Sequence, residues 1–188
     1  MKRDKINKNS IIVILIIILL FIAFISFVIF NKNDGMKQTL IYNIKYNVYI
    51  SKNGWQKWSK NGLESGKLNH SISNIKFNIK DSNNFSYDIY LENGKWINDL
   101  KANSKINNNK NINGIKVYIY KDLYKKYKIC YRTYNKKDKW LGWACNGSIS
   151  GNKNENIELI EVKIIPKNSS ESEYLKDYNI SDFYYKEF

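Results

Sequence analysis

The sequence predicts an all-β domain of three similar units, arranged about a pseudo-threefold axis and preceded by one transmembrane helix. Three observations predict it: an apolar run over 11–30, apolar residues that alternate with polar ones, and a pattern that recurs three times. A β-prism-like arrangement is favoured because each unit shows two long strands that flank a short hairpin. A β-trefoil, with four more equal strands in each unit, is the alternative.

The apolar run is uncharged, and as a helix it covers ~30 Å, the thickness of the hydrocarbon core of a bilayer. Four basic residues lie before it, namely Lys2, Arg3, Lys5 and Lys8. The positive-inside rule therefore predicts a single-pass protein of the cell membrane, with residues 1–10 in the cytoplasm and the C-terminal domain extracellular. A cleaved signal peptide is the alternative, although such peptides usually have an apolar region of only ~7–15 residues and an A-x-A site.

The recurring pattern divides the rest of the chain. Its first and last copies align at a shift of 85 residues without a gap, and a middle copy aligns with the first at a shift of 41. The first tryptophans of the copies, Trp55, Trp96 and Trp140, anchor both alignments. The predicted segments are a linker over 31–41, a β domain over 42–166 with units at about 42–80, 83–120 and 127–166, and a C-terminal tail over 167–188.

The first unit illustrates why β-structure is expected. Every second residue in the first strand is apolar, and this period of two predicts a strand with one buried face. The predicted inward residues are Ile44, Tyr46, Val48 and Ile50. The dipeptide Asn53-Gly54 is a strong signal of a hairpin turn, and it places Trp55 at the start of the return strand.

The same unit carries a recognisable motif. Tyr46 to Trp55 read Tyr-x-Val-Tyr-Ile-x-x-x-Gly-Trp, and Trp58, Gly62 and Gly66 follow. In the third unit the apolar strand that comes next carries Glu158. This pattern resembles the ChW repeat, the clostridial hydrophobic repeat with a tryptophan, over residues 42–166. The resemblance implies an extracellular surface protein that takes part in adhesion or macromolecular assembly, and it implies no catalytic residues.

Two cysteines, Cys130 and Cys145, occupy positions that are polar in the other units, so both are predicted on the outward side of their strands. In a hairpin that turns near 137–139, Cys130 faces either Cys145 or Gly147, and in both registers the two sulfurs point the same way. Because the predicted extracellular location is oxidising, the shared direction of the two sulfurs predicts a disulfide between Cys130 and Cys145. Two unpaired cysteines are the alternative.

The tryptophans fall into two classes. Trp55, Trp96 and Trp140 recur in every unit and are predicted to be core residues, with sugar-stacking platforms as the alternative. Trp58 and Trp143 follow three residues later, on the opposite face of a regular strand, and the middle unit lacks a counterpart. These two are therefore the predicted ligand contacts, with isolated surface aromatics as the alternative.

The composition offers no catalytic or metal centre. A single histidine, His70, lies in a predicted turn without a recurring nucleophile or acid beside it, and two cysteines are too few for a zinc ribbon. No enzyme activity, no catalytic residue, no metal and no cofactor are expected.

The charge is the last signal. The chain has 31 Lys+Arg against 17 Asp+Glu, yet only Arg3 and Arg132 are arginine, so no nucleic-acid partner is predicted. A basic domain beside a membrane attracts anionic polymers. The predicted function is a membrane-anchored extracellular binding module for a glycan, a cell-wall polymer or a surface protein, with weak contacts from each unit adding up. The alternative is a structural or assembly protein without a ligand that recruits a membrane or envelope partner.

Overall fold

A computed structural model describes residues 16–26, 42–104, 106–107, 109–177 and 185–186, the last two by their backbone only. Residues 16–26 form helix α1 inside the predicted transmembrane segment, whose other residues lie outside the described ones. In the portions of the chain just named, no helix is both long and apolar enough to cross a bilayer. The transmembrane helix therefore stays a prediction.

The unit Ile41–Phe188 is mainly β-structure, as predicted. Its strands in chain order are β1 (Ile44–Ile50), β2 (Gly54–Trp55), β3 (Ser59–Lys60), β4 (Ser65–Gly66), β5 (Ile72–Ile79), β6 (Phe85–Leu91), β7 (Trp96–Leu100), β8 (Ile112–Ile119), β9 (Tyr127–Asn135), β10 (Lys139–Trp140), β11 (Ala144–Cys145), β12 (Ser150–Asn152), β13 (Leu159–Pro166) and β14 (Tyr185–Lys186). The short helical pieces are a 3-10 turn (Ser82–Asn84), α2 (Lys121–Lys126) and α3 (Glu171–Tyr174).

One long antiparallel pair dominates each predicted unit: β1 with β5, β6 with β8, and β9 with β13. The three pairs have the same register, with these residues directly opposed: Tyr46 and Phe77, Tyr87 and Val117, Tyr131 and Val162. All six side chains are buried, because directly opposed residues share a face and this face is the inner one. The predicted alternation in β1 is confirmed, since all four of its inward residues are buried.

Hydrogen bonds also join the units in a cyclic order. Strand β4 of the first unit pairs with β13 of the third, and β12 of the third pairs with β8 of the second. The second unit contacts the first where the Phe77 N–H donates to the Ala102 carbonyl at 2.9 Å. Each unit is therefore held by both of its neighbours.

Glycine is required in both strand pairings between units, β4 with β13 and β12 with β8. A Cβ atom added to Gly66 would lie 2.1 Å from the carbonyl oxygen of Glu158, and one added to Gly151 would lie 2.2 Å from that of Asn113. Both glycines also have positive φ, of 125° and 143°. Any side chain would push the crossing strands apart, so the glycine positions of the sequence pattern coincide with close backbone approaches.

The central apolar core is built from the inward residues of the long pairs, and none of the five tryptophans belongs to it. The core role predicted for Trp55, Trp96 and Trp140 is wrong: Trp55 is 39% exposed, and the other two are half-buried. The reason is register. Trp55 lies directly opposite Tyr49, which alternates outward from the core residues of β1, so the indole shares the outer face.

The tail packs on the outer face of the third unit. Leu175 joins Cys130, Trp143 and Ile165 in a second hydrophobic cluster, separate from the core. Further along, β14 pairs in parallel with β12. The described parts of the tail are therefore integrated into the β domain.

Candidate functional site

Each unit carries a tyrosine–tryptophan pair on its outer face. The ring centroids are 5.5 Å apart for Tyr49 and Trp55, 5.2 Å for Tyr90 and Trp96, and 5.7 Å for Tyr134 and Trp140. A cationic group lies over each indole: Lys76 at 4.1 Å, Lys116 at 4.4 Å and Arg132 at 4.6 Å from the ring centroid. These contacts fix the indoles in place by cation–π attraction and ring packing.

The pair of the first unit is the most open of the three. Tyr49 is 36% exposed and Trp55 39%. Tyr90 is only 7% exposed, and Trp96, Tyr134 and Trp140 are half-buried. In the third unit, Arg132 fills the space between Trp140 and Trp143, with its guanidinium 4.6 and 4.9 Å from the two ring centroids.

The arginine is itself held by a buried acid. Arg132 Nε donates to Glu161 at 2.7 Å, and both side chains are only 2% exposed. Burial raises the pKa of Glu161, and the hydrogen bond and charge of Arg132 oppose that rise. In the first unit Asn47 lies opposite Lys76 at the corresponding register position, so no long guanidinium fills the space beside Trp55.

A depression of about 570 Å³ adjoins the open pair. Its lining combines two aromatic rings, an aliphatic side chain and several amide and hydroxyl groups: Tyr49, Trp55, Ser73, Asn74, Ile106, Asn107 and Asn109. Two hydrogen bonds hold the Asn74 side chain in place within the wall. Its amide nitrogen donates to the Ile106 carbonyl at 3.0 Å, and its amide oxygen accepts from the Ile75 N–H at 2.8 Å. The first unit supplies the rings, and Ile106, Asn107 and Asn109 of the second unit supply another part of the wall.

This lining suits a sugar ring. An indole offers a flat apolar surface to the C–H face of the ring, and asparagine side chains offer both donors and acceptors to its hydroxyl groups. Concave sites of this size with a few placed polar groups are the usual form of small-ligand sites.

The two predicted ligand contacts have different surroundings. Trp58 is 49% exposed, so it is accessible, and its role as a contact stays a prediction. Trp143 is only 8% exposed, and its Nε1–H donates to the Lys176 carbonyl at 2.8 Å. Its predicted role as an accessible ligand contact is therefore wrong, because the tail covers its ring.

The disulfide between Cys130 and Cys145 is confirmed. Cys145 of β11 lies directly opposite Cys130 of β9, which is the first of the two predicted registers. Cys130 points outward from the core, but the tail cluster buries it completely. The bond closes the hairpin that carries Trp143.

Two parts of the open depression were not anticipated from the sequence. Tyr49, Asn107 and Asn109 line the depression but are not among the predicted ligand contacts. Tyr49 has a usable signal, since Tyr90 and Tyr134 stand at the same place before each tryptophan. Asn107 and Asn109 have none, because their place opposite Trp55 depends on the contact between units.

No protein-family model, curated protein or solved structure matches this chain. The resemblance to the ChW repeat therefore stays a prediction.

Proposed function

We propose that the chain is an extracellular, membrane-anchored binding module that recognises a glycan through the Tyr49–Trp55 depression. The observation that carries the proposal is the position of an exposed, pre-positioned indole at the edge of a cavity lined by asparagine and serine side chains. Lys76 lies over the Trp55 ring at 4.1 Å, so the indole need not be ordered when a ligand binds.

The contrast between the units supports one principal site rather than three equal ones. The rings of the second and third units are less exposed, and Arg132 already occupies the space between the tryptophans of the third unit. Glycan binding would therefore depend chiefly on the first unit, together with the wall residues Ile106, Asn107 and Asn109.

The membrane anchor over 11–30 and the extracellular location are part of this proposal. They rest on the apolar run and on the basic residues before it. A pseudo-threefold arrangement of the units, prism-like with the trefoil as the alternative, is part of the proposal as well. The hydrogen bonds that join the units in cyclic order support it.

The test is retention of the purified chain on an array of glycans and cell-wall polymers. We expect saturable retention that is lost in Trp55→Ala, because the variant removes the stacking surface while leaving the core intact. The matched control is Trp96→Ala, which removes the corresponding but less open indole and should retain binding. Absence of retention on every glycan would contradict the proposal and favour a structural or assembly role. Equal loss in both variants would contradict the assignment to the first unit.

A further inference from the structure

The chain's own tail lies in a groove on the outer face of the third unit. Leu175 is buried against Trp143, Cys130 and Ile165, and the Trp143 Nε1–H donates to the Lys176 carbonyl. The groove contacts the backbone of the tail as well as its side chains.

Basic residues at the edges of this groove bind the tail by its acids and carbonyls. Lys128 forms an ion pair with Glu171 and donates to the Ser169 carbonyl at 3.2 Å. Lys163 donates to the Tyr174 carbonyl, and Arg132 lies 3.5 Å from Asp177. A buried indole, an aliphatic contact and three cations therefore hold this acidic segment of the chain in place.

The first unit has a corresponding outer face, and no segment among the described residues packs over Trp58 as the tail packs over Trp143. Trp58 stands 85 residues before Trp143 and is 49% exposed. Lys45 and Lys60 stand at the positions of Cys130 and Cys145, and they lie directly opposite each other with both side chains exposed. They line a depression of about 460 Å³.

Lys45 and Lys60 form an unfavourable pair of like charges. Like charges that are directly opposed on antiparallel strands repel, since their Cβ atoms are only ~4.5–5.5 Å apart. Over the part of the chain that the structure describes, neither Lys45 nor Lys60 belongs to an ion pair. An acidic segment laid across β1 and β3 would relieve this repulsion.

We infer that this face of the first unit, formed by Lys45, Trp58 and Lys60, binds an acidic peptide segment of a partner protein. The partner carries carboxylates for the lysines and an aliphatic or aromatic anchor for the exposed indole. A peptide is favoured over an anionic polymer because Trp143, the counterpart of Trp58, donates its Nε1–H to a main-chain carbonyl of the tail. The site is separate from the glycan depression and does not depend on it.

The test is fluorescence anisotropy of the full chain with a labelled peptide that has the sequence of residues 168–177. This probe has three carboxylates and one lysine, and the groove of the third unit is already filled by the same segment of the chain. We expect saturable binding that weakens at least tenfold in Lys45→Gln/Lys60→Gln, in Trp58→Ala, and with a probe whose acids are replaced by amides. Binding should be unchanged in Lys136→Gln/Lys137→Gln, an exposed pair with the same loss of charge.

Three results would overturn the inference. The first is the absence of saturable binding. The second is equal weakening in both lysine variants, which would indicate general attraction to a basic chain. The third is undiminished binding in Lys45→Gln/Lys60→Gln, which would show that the probe displaces the tail from the third unit. Lys45-dependent binding of polyphosphate without any binding of the peptide would instead assign the face to an anionic polymer.

Discussion

Lys45 lies directly opposite Lys60 in the pairing of β1 with β3, at the register position where Cys130 and Cys145 form a disulfide in the third unit. The same register position thus holds a pair of lysines in the first unit and a disulfide in the third. In the third unit it carries a covalent crosslink under a docked tail, whereas in the first it carries two exposed charges. The units therefore share the pattern of their inner faces and differ on their outer faces.

The two outer tryptophans should differ in their effect on stability. Trp143→Ala removes a buried indole and its hydrogen bond to Lys176, so we expect a loss of ~3–5 kcal/mol in the free energy of unfolding. Trp58→Ala alters a half-exposed side chain and should cost no more than about 1 kcal/mol. Urea denaturation of the two variants measures both values, and equal costs would contradict the description of the tail groove.

The disulfide should be fully formed and should stabilise the fold. Thiol titration in denaturant should find no free thiol before reduction and two afterwards, because Cys130 and Cys145 are the only cysteines. With a sequence separation of 15, the chain-entropy model gives a contribution of ~3 kcal/mol. Two reactive thiols in the unreduced chain, or unchanged stability after reduction, would contradict the expectation.

The close approach at Gly66 provides a test of the contacts between units. Gly66→Ala places a methyl group against the Glu158 carbonyl across the β4–β13 pairing, so we expect a loss of at least ~3 kcal/mol in the free energy of unfolding. Gly54→Ala is the control. Its φ is also positive, at 76°, but no atom lies within 4 Å of the added Cβ, so backbone strain alone should cost only ~1–2 kcal/mol. Similar costs in the two variants would contradict the packing of the first unit against the third.

Tail docking should weaken in acid. The hydrogen bond from Lys128 holds the pKa of Glu171 below its usual value of 4.5. Since the folded-state pKa is lower than the unfolded one, the stabilisation is fully present above pH 4.5 and is lost as the pH falls through the folded-state value. Hydrogen exchange of the Leu175 N–H, corrected for intrinsic rates, should therefore show opening of the tail on acidification.

Two variants isolate this effect. Glu171→Gln removes the titrating group, so its tail should be looser at neutral pH and should respond less to acid. Glu173→Gln removes an exposed acid of the same helix and should behave like the parent chain. The assignment would be contradicted if the acid response persisted in Glu171→Gln and disappeared in Glu173→Gln.

The sequence was sufficient to predict the inner face of the sheets and not the outer one. The alternation of Ile44, Tyr46, Val48 and Ile50 predicted the buried face of β1 because burial there depends on a period of two alone. The same alternation places Tyr49 outward, and the residue opposite Tyr49 must then be outward too. The core role given to Trp55 disregarded that constraint.

The accessibility of Trp58 and Trp143 could not be predicted from strand periodicity. The return strand is interrupted between β2 and β3, so its residues do not keep a regular alternation. Burial of Trp143 further depends on a tail segment more than 30 residues away, whose docking no local pattern encodes. The disulfide was predictable because both cysteines lie in one hairpin and their separation fixes a shared face.

Calorimetric titration of the chain with the glycan best retained on the array tests the central claim most directly. The account predicts one binding site per chain, and it predicts that Trp55→Ala abolishes the heat of binding while the unfolding transition stays within about 1 kcal/mol of the parent. Three equivalent sites, or undiminished binding by a folded Trp55→Ala variant, would contradict a glycan site at the Tyr49–Trp55 depression.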